Sequence, residues 1–168
     1  TAPLVFAGAI AKQYLAQRGV FVGAHIAKVG GVKDTLFDPN SIDKETLNCL
    51  GDSTFAVLNP EAEENMRAVI EAARLQQNSV GGSIECAAIG LPVGVGGNMF
   101  STVESKLSAL LFGIPAVKGV QFGLGFDFAG AFGADVNDGY TVRDGKVALL
   151  TNNNGGVLGG MTSGAVKE

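Results

Sequence analysis

The stretch VFVGAHIAKV, residues 20–29, decides the class of fold. Its apolar residues fall on both alternating faces, which is typical of a strand that is covered on both sides. Residues 83–91, SIECAAIGL, predict the next strand, and helical patterns lie before and after each of these two stretches. The order helix, strand, helix, strand, helix, strand, hairpin predicts one α+β domain over residues 1–168, with helices packed on sheet.

The helix that precedes residues 20–29 covers residues 3–18, PLVFAGAIAKQYLAQR. Its proline suits a first helical turn, and Gly19 favours the end of the helix. The first half of the pattern carries very little polar surface. We therefore expect this helix to be buried.

The clearest helical pattern in the chain runs over residues 60–77. Asn59 can cap this helix, and its apolar residues recur at the spacing of one helix face. A further helix is predicted from the capping box that Ser101 forms with Glu104. A short helix candidate lies near residues 43–50.

Glycine is the outlier in the composition, with 25 residues in 168, about twice the usual share. Eight glycines lie in residues 1–85 and seventeen in residues 86–168. Residues 117–126, VKGVQFGLGF, predict a strand with a glycine face, which a backbone or a flat ligand can approach closely. Residues 151–164, TNNNGGVLGGMTSG, are neither a helix nor an ordinary strand. They form either a tight bend or a turn that aims backbone N–H groups at one point.

Charge and cysteine content exclude several classes of protein. The formal net charge is −4, and without a basic excess we expect no nucleic-acid partner. No apolar run reaches about 18 residues, so we expect no membrane span. Cys49 and Cys86 are too few for a zinc motif or a disulfide framework, and we expect no metal site. We interpret both thiols as small core residues of a protein from a reducing compartment.

Three local features permit more specific interpretations. His25 is the single histidine, and it is either a structural side chain in a buried strand or a catalytic base. With no nucleophile at a suitable spacing, it supports no catalytic triad. Residues 94–97, GVGG, lie between a strand and a helix and form either a phosphate cradle or tight turns. Residues 143–146, RDGK, predict a two-residue hairpin.

Several glycine-rich stretches resemble one family, in its order and at its spacing, along all 168 residues. The chain is similar to the central part of chorismate synthase. The blocks IPAVKGV and NNNGGVLGG are the specific ones. The matching stretches are Thr1-Ala2 with GAIAKQYL (8–15), NSVGGSIE (78–85), GLPVGVGG (90–97), FGIPAVKGVQFGLGF (112–126), ND (137–138) and TNNNGGVLGGMTSG (151–164).

The resemblance implies a layered β-α-β sandwich, with helices packed between and against antiparallel sheets. It implies a cytoplasmic lyase of the shikimate pathway and of aromatic amino acid biosynthesis, assembled as a homotetramer. Such a flavoprotein uses reduced FMN to eliminate phosphate from 5-enolpyruvylshikimate 3-phosphate, giving chorismate, and NADPH is associated with the family. The residues that match the family's flavin contacts are Pro115, Ala116 and Gly159, with Asn154 and Gly155 in the same motif as Gly159.

The chain also departs from the family. The family's catalytic histidines and its arginine-rich phosphate-binding segments are not among these residues, and His25 matches none of those histidines. We therefore assign no catalytic residue, and we expect the 168 residues alone to be inactive. Two explanations stay open, a piece of a longer protein and a sequence from which segments were omitted. The alternative to a lyase is an inactive fragment or a non-enzymatic, self-associating scaffold domain.

Overall fold

The computed structural model describes residues 1–39, 41–143 and 145–164. It confirms the predicted α+β class, because helices alternate with antiparallel sheets. The chain divides into two compact units, which we call the central unit, Val20–Ile89, and the glycine-rich unit, Thr1–Gly19 with the residues from Gly90 onward. One domain over residues 1–168 stays a prediction. The elements are α1 (Ala2–Ala16), β1 (Phe21–Val29), β2 (Val32–Lys33), α2 (Lys44–Asp52), α3 (Pro60–Leu75), β3 (Gly82–Ile89), α4 (Val103–Leu111), α5 (Gly133–Val136), β4 (Tyr140–Arg143), β5 (Lys146–Leu149), β6 (Val157–Leu158) and β7 (Met161–Thr162).

The central unit is built on a three-stranded antiparallel sheet in the order β2-β1-β3. β1 and β3 confirm the two strands predicted at residues 20–29 and 83–91. Along β1 every second residue from Gly23 to Val29 is buried, and the residues between them are half-buried. Both faces of the central strand are therefore covered to some extent, as its continuous apolar pattern indicates.

Two amphipathic helices of the central unit carry its core. Asp43 caps α2 by accepting a hydrogen bond from the Thr46 N–H at 2.8 Å, and Asn59 caps α3 in the same way. Leu47 of α2 is 0% exposed, and a Cβ on Gly23 would overlap it, so that glycine allows α2 to approach β1. In α3, Met66 is 0% exposed and packs with Val29, Ala62 and the half-buried residues Ile26, Val32, Phe55, Val57, Val69 and Val80.

The first helix forms as predicted, but the expectation that it is buried is wrong. α1 contains no buried residue, and Val5 and Phe6 are 70% and 71% exposed. Gly19 ends the helical stretch with a positive φ of 76°, as expected. The helix is apolar on nearly all sides, and no element among the described residues covers it.

The fourth helix begins one residue later than the sequence predicts. Ser101 closes a preceding 3-10 turn, where its N–H donates to the Asn98 carbonyl at 3.0 Å. Thr102 is the cap instead, and its Oγ1 accepts from the Ser105 N–H at 3.0 Å. The predicted capping box of Ser101 and Glu104 is therefore wrong.

The predicted strand at residues 117–126 is also wrong. Gly123 and Gly125 have φ values of 55° and 54°, which turn the chain out of an extended path and into a 3-10 helix over Gly125–Gly130. The hairpin at residues 143–146 is confirmed by the pairing of β4 with β5, although Asp144 lies outside the described residues.

The two cysteines do not fill the core, because both Cys49 and Cys86 are exposed. The apolar residues that do fill it come from the central unit, with Leu149 and Val157 as the buried apolar members of the glycine-rich unit's described part. Among the helices of the described residues, none has the length and apolar character needed to cross a bilayer.

Candidate functional site

The terminal glycine-rich stretch forms a very short hairpin. β6 pairs with β7 through Val157 with Thr162 and Leu158 with Met161. Gly159 and Gly160 stand between the strands with φ values of 60° and 84°. Positive φ at both central residues is the requirement of a type I′ turn, which glycine meets without steric cost. These two-residue strands explain why the sequence fits neither a helix nor an ordinary strand.

Two other glycine-rich segments pack directly against this stretch. A Cβ on Gly96 would overlap the carbonyl oxygen of Gly160, and a Cβ on Gly123 would overlap that of Asn153. The Leu124 N–H donates to the same Asn153 carbonyl at 2.8 Å. At these two glycines the close neighbour is therefore another backbone, which is the packing alternative of the two that the sequence left open.

The GVGG segment does not form a phosphate cradle. The Gly94 N–H donates to the Thr162 carbonyl and the Val95 N–H to the Thr162 Oγ1, both at 2.9 Å. At the start of α4, the Val103 N–H donates to the Gly160 carbonyl at 2.9 Å. These donors are used within the protein, so the tight-turn interpretation is the right one.

Asp138 organises the asparagine run that precedes β6. This side chain belongs to a residue that is 8% exposed. Its Oδ1 accepts from the Thr151 hydroxyl at 2.6 Å and from the Asn153 N–H at 2.7 Å. Its Oδ2 accepts from the Asn154 N–H at 2.9 Å and from the Asn154 Nδ2 at 2.8 Å. Burial alone would raise the pKa of Asp138, but these hydrogen bonds to Thr151, Asn154 and Asn153 outweigh it and hold the pKa below its usual value.

Asn154, one of the predicted flavin contacts, lines a cavity of about 610 Å³. This cavity is broadly open to solvent, so the volume is that of a surface depression and not of an enclosed pocket. The walls are mostly apolar, with two asparagines supplying polar groups. The lining residues are Phe128, Gly133, Ala134, Val136, Asn137, Asn154 and Leu158.

Two buried polar atoms of the residues 151–164 stretch have no hydrogen-bond partner within the part of the chain that the structure describes. They are Asn152 Oδ1 and Ser163 Oγ. Ser163 lines a smaller cavity of about 30 Å³ together with Asp138 and Asn154. Buried polar atoms without partners are uncommon in proteins, and they often mark a place where a ligand or a water completes the hydrogen bonding.

Pro115 and Ala116 occupy the two central positions of a tight turn. The Val117 N–H donates to the Ile114 carbonyl at 3.3 Å, which closes the turn. Ala116 has a φ of 69°, as the third residue of a type II turn requires. Glycine is the usual residue there, so alanine places strain of about 1–2 kcal/mol at an exposed site. Stored strain of this kind is found mostly at functional positions.

The predicted flavin contacts thus fall into two groups. Asn154, Gly155 and Gly159 lie on one continuous loop and hairpin, and a Cβ on Gly159 would meet nothing within 4 Å. Pro115 and Ala116 lie in the separate turn, and no hydrogen bond between the described residues joins that turn to the loop. Sequence reasoning did not find the role of Asp138, although an acid between Asn137 and Gly139 is a signal for a turn.

His25 lies in the central unit, away from any of these residues in sequence, and its ring is fully paired. It is 1% exposed, its Nδ1 lies 3.0 Å from Asp34 Oδ2, and its Nε2 lies 2.7 Å from Glu85 Oε2. Phe37 packs its ring edge-on against the imidazole, and its N–H donates to Glu85 Oε2 at 2.9 Å. This arrangement supports a structural histidine, because a base must reach its substrate. Within residues 1–39, 41–143 and 145–164, no group of three His, Cys, Asp or Glu side chains could hold a metal ion.

Comparison with known proteins identifies the family. The family model for chorismate synthase matches residues 1–166. The chain is 40% identical over 175 residues to chorismate synthase of Lancefieldella parvula, covering 98% of this chain and 46% of that protein. It is 43% identical over 169 residues to chorismate synthase of Thermococcus gammatolerans, covering 98% of this chain and 44% of that protein.

A solved structure supports the same assignment. The crystal structure of a chorismate synthase superposes with a TM-score of 0.83 at 28% identity, covering 94% of this chain and 49% of that chain. This likeness confirms the α+β fold that the sequence predicts. The chain spans less than half the length of the curated relatives described above.

Proposed function

The chain belongs to the chorismate synthase family, and we propose that the full-length protein eliminates phosphate from 5-enolpyruvylshikimate 3-phosphate to give chorismate. The observation that carries the proposal is the family match over residues 1–166, which includes the loop and hairpin beside the 610 Å³ cavity. In this proposal the protein is a lyase of the shikimate pathway that serves aromatic amino acid biosynthesis. Reduced FMN is its cofactor, and the flavin supplies electron density transiently during an elimination without net redox change.

The residues of the glycine-rich unit fit the flavin ring. An isoalloxazine ring is apolar over much of its surface, with N–H groups and two carbonyl groups at its polar end. The cavity offers apolar walls from Phe128, Val136 and Leu158, and the Asn154 amide supplies a polar group. The unpaired Asn152 Oδ1 adds a buried acceptor nearby in sequence. We propose that Asn154, Gly155 and Gly159, with Pro115 and Ala116 from the separate turn, hold the flavin.

The remaining properties of the protein follow the family in our proposal. NADPH is associated with the reaction, the protein assembles as a homotetramer, and it works in the cytoplasm. We expect the 168 residues alone to show no turnover, because neither a general acid nor a cluster of arginines for the phosphate ester is assigned among them.

Anaerobic turnover by the full-length protein tests the proposed function. With reduced FMN and 5-enolpyruvylshikimate 3-phosphate, we expect phosphate and chorismate to form in equal amounts. A folded full-length protein that neither binds FMN nor releases phosphate would reject the proposal. A protein that binds FMN without turnover would retain the cofactor and reject the reaction.

A matched pair of glycine variants tests the assigned contact at Gly159. Gly159→Asn adds a side chain in open space, and asparagine tolerates the positive φ, so the hairpin is preserved. We expect this variant to weaken FMN binding by 10-fold or more while the melting temperature changes little. Gly145→Asn is the control, since Gly145 also has a positive φ and open space in the β4–β5 hairpin. Equal FMN affinity in both variants would remove Gly159 from the flavin site.

A further inference from the structure

We propose that Asp138 is a positioning residue of the flavin site, which fixes the loop of residues 151–155 and the orientation of the Asn154 amide before the cofactor binds. This inference rests on the proposed function. Asp138 itself contacts no flavin in this proposal, and it acts through Asn154 and the loop backbone.

The Asp138 carboxylate uses both of its oxygens fully within the loop. Both oxygens accept two hydrogen bonds each, and the donors come from Thr151, Asn153 and Asn154, within one run of four residues. A fifth hydrogen bond holds this run, because Asn153 Nδ2 donates to the Val136 carbonyl at 3.2 Å. Bonds to an ionised acceptor are roughly twice as strong as neutral ones, so the loop is held more firmly than its glycine content would suggest.

Asp138 also fixes the Asn154 amide. Its Nδ2 donates to Asp138 Oδ2, and a carboxylate can only accept, so the amide has one orientation. The groups that are left for a ligand are therefore Oδ1, an acceptor, and the second N–H of Nδ2, a donor. Because Asn154 lines the 610 Å³ cavity, the site favours a ligand whose edge presents an N–H group, or an N–H group beside a carbonyl.

The negative charge of Asp138 is balanced by hydrogen bonds and not by a cation. Asp138 is 8% exposed, and within the described residues no lysine, arginine or histidine forms an ion pair with it. Burying a carboxylate without a nearby cation costs free energy unless its hydrogen bonds are complete. A turn needs no such charge for its own stability, since asparagine and glycine already favour it. We infer that the role of the charged carboxylate is to hold the four donor groups in fixed positions.

The test uses the full-length protein and Asp138→Asn, which replaces an acceptor by a donor that opposes the loop N–H groups. In the flavin-free protein we expect amide hydrogen exchange in residues 151–156 to become at least 10-fold faster. Flavin fluorescence titration should show FMN binding weakened by 10-fold or more, and the visible bands of bound FMN should shift. Asp135→Asn is the control, because Asp135 is an exposed acid on α5, and it should leave the exchange and the FMN affinity within about two-fold of wild type.

Thr151→Val provides a second, milder variant in case Asp138→Asn does not fold. It removes one hydrogen bond to Asp138 Oδ1 from an exposed position and should weaken FMN binding several-fold, with a shifted flavin spectrum. A lower melting temperature with unchanged FMN affinity and spectrum would mean that Asp138 is only structural, and it would overturn the inference. Unchanged exchange in a folded Asp138→Asn variant would overturn it as well. If wild type itself fails to bind FMN, the proposed function fails with the flavin part of this inference, and the exchange data still decide whether Asp138 holds the loop.

Discussion

Asp34 in the central unit and Asp138 in the glycine-rich unit are both buried aspartates, and each accepts hydrogen bonds from four donors. Three of the donors to Asp34 are backbone N–H groups, from Thr35, Leu58 and Asn59, and the fourth partner is the His25 ring. The donors to Asp138 are two backbone N–H groups, a hydroxyl and an amide, all of them neutral.

The surroundings of the two carboxylates differ more than their bonds. Around Asp34 the central unit has a side-chain core, capped helices and a histidine that joins two carboxylates. Around Asp138 the packing is between backbones, at glycines such as Gly96 and Gly123, with few buried side chains. A buried carboxylate with four hydrogen bonds therefore lies beside a side-chain core in one unit and, in our proposal, holds a loop in position in the other. The comparison predicts that the two units respond differently to substitution.

The largest effect should come from the core of the central unit. Met66→Ala removes a side chain that is 0% exposed, and we expect it to lower the free energy of unfolding by about 2–5 kcal/mol in denaturant titration. Ile70→Ala on the same helix is the control, and it should cost less because Ile70 is 39% exposed. FMN binding by the folded Met66→Ala protein should stay unchanged. Equal losses for the two variants would contradict the assigned core.

Asp34→Asn should have the next largest effect. It replaces charge-assisted bonds to the backbone and to His25 by weaker ones, at an expected loss of about 1.5–3 kcal/mol. Asp52→Asn is the exposed control at the end of α2, and it should lie within about 0.5 kcal/mol of wild type. In contrast to Asp138→Asn, the change at Asp34 should leave FMN affinity unaltered. Weaker FMN binding in a folded Asp34→Asn protein would remove the distinction between the two aspartates.

Gly123→Ala tests the backbone packing of the glycine-rich unit. The added Cβ would overlap the Asn153 carbonyl, and the positive φ of 55° adds strain, so we expect a loss of about 1–3 kcal/mol. Hydrogen exchange in residues 151–156 should rise, since the loop must shift to make room. Gly130→Ala meets nothing within 4 Å and should leave that exchange as it is. A Gly123→Ala variant with unchanged stability and unchanged hydrogen exchange would show that Gly123 and the Asn153 loop do not contact each other in solution.

Lowering the pH should reduce the stability that each of the two aspartates contributes. The pKa of each is below its usual value, because hydrogen bonds to the carboxylate outweigh the opposing effect of burial. A lowered pKa in the folded state adds stability that is complete above the unfolded pKa of about 3.9 and is lost as the pH falls further. Unfolding measured between pH 6 and pH 2.5 should show this loss, and Asp34→Asn and Asp138→Asn should each reduce it. A wild-type stability that does not change over this range would contradict the assignment.

Ala116→Gly should have the smallest effect. Glycine relieves the strain of the positive φ at this position but adds freedom to the unfolded chain, so the two contributions nearly cancel. We expect a change within about 0.5 kcal/mol in thermal unfolding, whereas Ala9→Gly in the middle of α1 should cost about 0.5–1 kcal/mol. A clear loss of stability in Ala116→Gly would mean that the turn is not strained.

The parts of the fold that could be predicted from sequence are those specified locally. β1 and α3 are examples, because their period, their caps and their stop signals lie within the elements themselves. The bend at Gly123 could not be predicted, since an alternating pattern also fits a strand, and the Asn153 carbonyl that decides the conformation lies far along the chain. The exposure of α1 could not be predicted for a related reason, because an apolar composition indicates burial without showing which element covers the helix.

The candidate site shows the same division. Pro115 with Ala116, and the run from Asn154 to Gly159, stand out as sequence motifs. Asp138 belongs to the short matching stretch ND (137–138), but its role could not be predicted, because the donors at Thr151, Asn153 and Asn154 are brought to it only by the tertiary fold. The shift of the helix cap from Ser101 to Thr102 depends similarly on a 3-10 turn that the spacing of residues in the sequence does not predict.

The glycine contacts also have a consequence for the order in which the protein folds during its synthesis. The central unit, Val20–Ile89, is continuous in sequence and can form as soon as it leaves the ribosome. Gly96 and Gly123 must wait for Gly160 and Asn153, which are synthesised after the whole central unit. In a series of arrested nascent chains of increasing length, the central unit should resist protease before residues 90–164 do. Simultaneous protection of both would show that the glycine-rich backbone contacts assist the central unit from the start.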